Sequence, residues 1–157
     1  MIDLKIILLA EDNPKDVELT LEALTEHNLA NHVIVVRDGV EAMEYLRREG
    51  PYRHRSPGNP AVLLLDIKMP RMDGIEVLRA IRGDAVLKAL PIVMLTSSRE
   101  EQDLVSSYEM GVNAYVVKPV GFKDFIEAVK QIGFFWAILN ELPPERPGVP
   151  DSSDGNR

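Results

Sequence analysis

The chain contains no cysteine, so it has no disulfide framework, no thiolate metal site and no cysteine nucleophile. Nor does it carry an excess of positive charge: the formal net charge is −7, which argues against a phosphate-backbone partner such as DNA. The densest basic stretch, Arg47-Arg48 through Arg53-His54-Arg55, falls in an expected loop and does not offset that balance. No apolar run approaches the roughly 20 residues of a membrane span. Residues 1–9 lack the basic start and the apolar length of a secretory signal. His27, His32 and His54 share no ligand spacing and read as surface or structural residues. Together these absences lead us to expect a cytoplasmic protein with no nucleic-acid and no membrane partner.

What is present is average in bulk and ordered in detail. At 157 residues, 45% hydrophobic and 27% charged, the chain is the size of one ordinary domain with a sizeable core. Short apolar runs at 6–10, 33–36, 61–65, 91–95 and 113–117 read as strands. Between them the spacing predicts helices from Asn13-Pro14 to about residue 29, over Ala42, Tyr45 and Leu46, from about Gly74, over 100–110, and from about 122 to 139. Five βα units imply an α/β fold: a doubly wound five-stranded parallel sheet with helices on both faces. The run 61–65, rich in Leu and Val, has the character of a central strand buried on both sides. Residues 50–60 are rich in glycine, proline and basic side chains and read as an exposed loop. Residues 1–142 form the expected domain with an extended C-terminal helix. The segment 143–157, proline-, glycine- and polar-rich, reads as a disordered tail.

Polar residues gather where the strands end: Glu11-Asp12, Asp66, Thr96-Ser97 and Lys118. In a parallel sheet those ends share one edge, where open α/β folds place their ligand sites. Crowded carboxylates suit a hard divalent cation such as Mg²⁺, and a lysine with a hydroxyl suits a multiply charged oxyanion. Taken singly, each element has an ordinary explanation as helix-end charge, turn residue or cap. Taken together, they form a site able to carry a phosphoryl group on a carboxylate beside a metal ion.

From about residue 5 to 139 the chain resembles the receiver domain of two-component response regulators. The resemblance rests on Glu11-Asp12, Asp66 with Met69-Pro70 and Asp73-Gly74, Thr96-Ser97, and Tyr115-Val116-Val117-Lys118-Pro119. It implies the flavodoxin-like receiver fold, with Asp66 phosphorylated by a sensor histidine kinase. By the same resemblance Asp12, Asp66 and the Lys68 backbone carbonyl bind Mg²⁺, and Glu11 assists through water. Lys118 pairs with the phosphoryl oxygens, while Thr96 and Tyr115 are the switch residues. Lys68 and Ser98 occupy positions at which the family sets phosphoryl lifetime. Output then passes through the surface, to a downstream protein or a histidine phosphotransfer partner.

Two rival readings stay open on sequence alone. An aspartate-nucleophile phosphohydrolase also needs Mg²⁺, an Asp, a Thr and a Lys, but commonly has a second Asp two residues after the nucleophile, where this chain has Lys68. A receiver used only for docking is the other. Beyond the core, Phe122, Phe125, Ile126, Val129, Gly133 and Trp136 fall on one helical arc, which is expected against the sheet. Phe135, Ile138, Leu139 and Leu142 make a second stripe, a candidate homodimer interface. The Phe135-Trp136 pair, the helix extension and the enlarged loop are similar to single-domain regulators paired with phytochrome-type histidine kinases.

Overall fold

Alternating runs of β-branched and leucine side chains build the centre of the molecule, which is seen in a computed structural model describing residues 2–25 and 32–132. The strands are β1 (Ile2–Ala10), β2 (His32–Val36), β3 (Asn59–Asp66), β4 (Ile92–Thr96) and β5 (Ala114–Val117). All neighbours pair in parallel, in the order β2-β1-β3-β4-β5. Helices α1 (Pro14–Thr25), α2 (Gly39–Arg47), α3 (Gly74–Arg82), α4 (Arg99–Ser107) and α5 (Phe122–Val129) alternate with them. The expected doubly wound sheet is therefore present, and β1 and β3 are at its middle.

The strand period of two sorts the core into two layers. Ile7, Leu9, Leu64, Val93 and Leu95 pack with Val17 and Leu24 of α1 and with Phe125 and Val129 of α5. Leu8, Leu63, Leu65, Ile92 and Met94 pack with α2, α3 and Val105 of α4 on the other side. β3 is buried from Pro60 to Asp66, as a strand covered on both faces must be. α4 contributes only Val105 to the buried set, in keeping with its polar sequence.

Two expectations change. α5 ends at Val129, and Lys130 closes it as a C-cap, so the continuous helix expected to about 139 is interrupted. After that break Ile132 is buried on the α1–α5 side, and Ala128 joins Phe125 and Val129 there, while Phe122 and Ile126 are only half-buried. Gly133, Trp136 and the stripe Phe135, Ile138, Leu139 and Leu142 lie outside the described residues. The basic 50–60 segment is the largely exposed loop expected, and it is tied to α2. Arg55 donates to the Tyr45 carbonyl (2.7 Å) and to Gly58 (3.0 Å), stacks 4.2 Å above the Tyr45 ring, and so satisfies the carbonyl end of α2.

The turn after β3 is braced against its surroundings. Gly74 N–H donates to the Ile67 carbonyl (2.7 Å), and a Cβ at Gly74 would collide with the Asp66 carbonyl oxygen and lie 2.8 Å from Ile67 Cα. Only glycine fits so close a backbone approach. Asp73 caps α3 in a reciprocal box with Glu76. Arg71 has φ of 65° and makes a two-pronged bond to Asp38, the N-cap of α2, at 2.9 and 3.0 Å. Gly39, next to it, is in contact with the Met72 backbone.

Further from the site, Arg82 joins three segments. Its guanidinium donates to the carbonyls of Met110 (2.8 Å), Lys88 (3.0 Å), Leu90 (2.8 Å) and Gly111 (2.8 Å). Loss of this fan takes the donor from the carbonyls of Met110 and Leu90, whose bonds are part-buried, and from two exposed ones. Arg82→Ala is expected to lower unfolding free energy by roughly 2–4 kcal/mol. Arg82→Lys should recover less than half, because one ammonium cannot span four carbonyls. Chemical denaturation measures both, and a loss below about 1 kcal/mol for Arg82→Ala contradicts the assignment.

Candidate functional site

Glu11 ends the β1 run and is held there by its N–H to the Val36 carbonyl (3.0 Å). Asp66 is the last residue of β3 and Lys118 follows β5, its N–H donating to the Thr96 carbonyl (2.8 Å). These elements bring together side chains distant in sequence. Glu11, Asp12 and Asp66 each offer an oxygen within 4.8 Å of the others. Glu11 and Asp66 are buried, 1% and 2% exposed, while Asp12 faces solvent. Lys118 Nζ lies 3.1 Å from Asp66 Oδ1, 3.2 Å from Glu11 Oε1 and 3.1 Å from Asp16 Oδ2. A cleft of about 510 Å³ has these groups, Lys68 and Ser97 in its walls. A second cleft of about 520 Å³ opens at the opposite sheet edge beside Asn59 and has no such carboxylate cluster.

The electrostatics follow from burial and crowding. Burial raises the Glu11 carboxyl, a hydrogen bond and like charge from Asp66 raise it further, and the net position is about 7. Burial alone would lower the Lys118 ammonium; attraction and hydrogen bonding from Asp66, with Asp16 and Glu11, reverse this and raise it. Hard oxygen donors from three side chains, one solvent-facing and all crowded, match what a divalent cation needs. The residues fit such an ion: a positive charge among them would relieve the repulsion that holds Glu11 up.

The remaining expected residues are distributed differently. Thr96 is fully buried, and strand alternation sets it on the α2–α4 face with Met94, across the sheet from Asp66. Among the described residues its Oγ1 is the buried side-chain polar atom left without a hydrogen-bond partner. Tyr115, in register with Met94, packs half-buried on that same face. The Lys68 side chain is 79% exposed and lies 3.5 Å from Glu101, whose other oxygen accepts from Ser97 N–H (2.7 Å). Sequence reasoning missed Asp16 and Glu101. Asp16 had one available signal: a carboxylate in the first turn of the helix that follows Glu11-Asp12.

The folded-state position of Glu11 is above its ordinary 4.5. The stability it contributes to the metal-free protein is therefore complete below about 4.5 and lost as pH rises through about 7. A cation needs the charged form. From about pH 8 to about pH 6, the affinity of the wild type for a divalent cation is expected to fall roughly tenfold. Calorimetric titration should show Glu11→Gln binding more weakly but with a flat profile; equal slopes in the two proteins contradict the assignment.

Comparison with known proteins agrees with this geometry. Residues 7–130 match the model of the response regulator receiver domain. The chain is 40% identical over 139 residues to the response regulator Rcp1 of Synechocystis sp., covering 88% of this chain and 93% of that one. The solved structure of the bacteriophytochrome response regulator AtBRR is 59% identical with a TM-score of 0.83, covering 88% of this chain and 99% of that one. The Mn²⁺-bound form of Rcp1 has a TM-score of 0.67 at 40% identity, over 89% of this chain and 99% of that one. Sequence, sheet order and the edge cluster lead to one result: the chain belongs to the response regulator receiver domain family.

Proposed function

We propose that Asp66 is the phosphoryl acceptor and that the donor is a phosphohistidine of a sensor histidine kinase. Receiver domains take their phosphoryl group from such kinases. The observation that carries the reading is the Lys118 ammonium 3.1 Å from Asp66 inside a three-carboxylate cluster. Asp66 Oδ1 is engaged by Lys118 and by the Ile67 N–H (2.9 Å), so Oδ2 is the oxygen assigned to attack. Its lone pair forms the new O–P bond as the N–P bond breaks, and the departing imidazole nitrogen keeps the electron pair and takes up a proton. The ion assigned to Glu11, Asp12, Asp66 and the Lys68 backbone carbonyl is Mg²⁺, which when bound neutralises phosphoryl oxygens. Lys118 supplies the second positive charge.

Thr96 gives the switch its second state. A buried hydroxyl without a partner costs about 1–3 kcal/mol, and turning toward a phosphoryl oxygen would satisfy it. Tyr115, half-buried on the same face, then moves inward into the space so vacated. The rival phosphohydrolase reading needs an acid/base carboxylate two residues after the nucleophile. That place holds Lys68, an exposed ammonium paired with Glu101, which favours a signalling protein over an enzyme, while the full set of Glu11, Asp12, Asp66, Thr96 and Lys118 speaks against a docking-only receiver.

The partner names of relatives support a phytochrome-type sensor kinase upstream. The reading further includes a cytoplasmic receiver unit over residues 1–142, with 143–157 outside it, and a downstream protein or histidine phosphotransfer partner. Among the described residues no helix is long and apolar enough to cross a membrane. Homodimerisation through Phe135, Ile138, Leu139 and Leu142 completes it.

Acetyl phosphate with Mg²⁺ is expected to label wild type with a single phosphoryl group and to leave Asp66→Asn unlabelled; sustained turnover of a generic phosphoester would instead support the hydrolase. In sedimentation, wild type should run as a dimer and Leu139→Glu as a monomer, and a monomeric wild type removes the dimer.

A further inference from the structure

A lysine ammonium has three hydrogens to donate, and around Lys118 three carboxylates stand within 3.2 Å. Two of them, Glu11 and Asp66, also belong to the cluster that suits a cation; Asp16 does not. Its carboxylate meets the site through Lys118. The pair is well placed to matter. The Asp16 side chain is 25% exposed and that of Lys118 15%, so solvent screens them less than a surface pair. Asp16 is also set in place by its backbone, in the first turn of α1, with its N–H donating to the Asn13 side chain at 3.1 Å.

We propose that Asp16 is a positioning residue that shares the Lys118 ammonium with Asp66 and holds one of its donors, so that its charge limits how tightly the site takes up a phosphoryl group. The inference rests on the reading of Asp66 as acceptor. A phosphoryl group brings up to about two negative charges, and its oxygens need the donors of Lys118. Asp16 occupies one of those donors and repels the incoming anion. Its effect on a cation has the opposite sign, because one more carboxylate near Glu11, Asp12 and Asp66 attracts a divalent ion. A residue that merely favoured the start of α1 through the helix dipole would change thermal stability and neither affinity.

The test uses the full chain with Asp16→Asn and Asp16→Glu. Beryllofluoride, a phosphoryl mimic that bonds to a carboxylate oxygen, is titrated at saturating Mg²⁺ and followed by fluorine NMR. Mg²⁺ alone is titrated separately, and thermal unfolding is recorded for each protein. Asp16→Asn is expected to bind beryllofluoride roughly fivefold tighter and Mg²⁺ roughly twofold weaker than wild type. Asp16→Glu, which keeps the charge, should stay near wild type. Equal beryllofluoride affinity in Asp16→Asn and wild type overturns the proposal, whatever happens to the melting temperature. No uptake by the wild type itself overturns the acceptor reading, and the proposal with it.

Discussion

One ammonium balances the carboxyl edge of this sheet. Glu11 and Asp66 are almost wholly withdrawn from water, and buried carboxylates so close together persist only with a countercharge and hydrogen bonds. Lys118 provides both, and to do so it must reach over a strand. In the order β1-β3-β4-β5 its own strand is at the edge, and β4 stands between it and Asp66. Because Thr96, the last residue of β4, turns its side chain to the opposite face, the path from Lys118 to Asp66 is open. Sheet order, strand parity and the charge at residue 118 thus have to agree for the site to exist.

This dependence explains which features could be read from the amino-acid order. The five strands were legible because each is a compact apolar run, and β3 most of all because both its faces are buried. Asp66, Glu11, Asp12 and Lys118 were legible because strand ends in a parallel sheet share an edge. Asp16 was not, since it is separated from Lys118 by 102 positions and only helix α1 brings them together. Strand parity, which separates Thr96 from the carboxylates, was available in principle but was masked by its position beside them at the same edge. The exposed loop 50–60 was legible from its glycine, proline and basic residues; its tie to the carbonyls at the end of α2 was not, since no composition reveals it. The extent of α5 was misread at Lys130 because periodicity continues past a helix stop without marking it.

Charge tuning in the site is distributed over layers with different roles. Asp66 and Glu11 are buried and mutually coupled, Asp12 is wet, and Asp16 sits between those extremes. Such a gradient allows an ion to enter from the solvent side while the Asp66 carboxylate stays in a low-dielectric setting, where each added charge acts more strongly.

The turn that follows Asp66 has a mechanical consequence. Gly74 is wedged under the Asp66 backbone, Met72 abuts Gly39, and Arg71 grips the N-cap of α2. On the far side of Asp66, α4 is anchored in the core by one buried valine, and Leu104 and the C-cap Tyr108 lie 48% and 43% exposed. Asp66 thus stands between an anvil and a spring. Strain introduced at Asp66 finds little compliance in the 67–74 turn and is relieved through β4, α4 and β5, so the direction in which the molecule yields is built into its resting architecture.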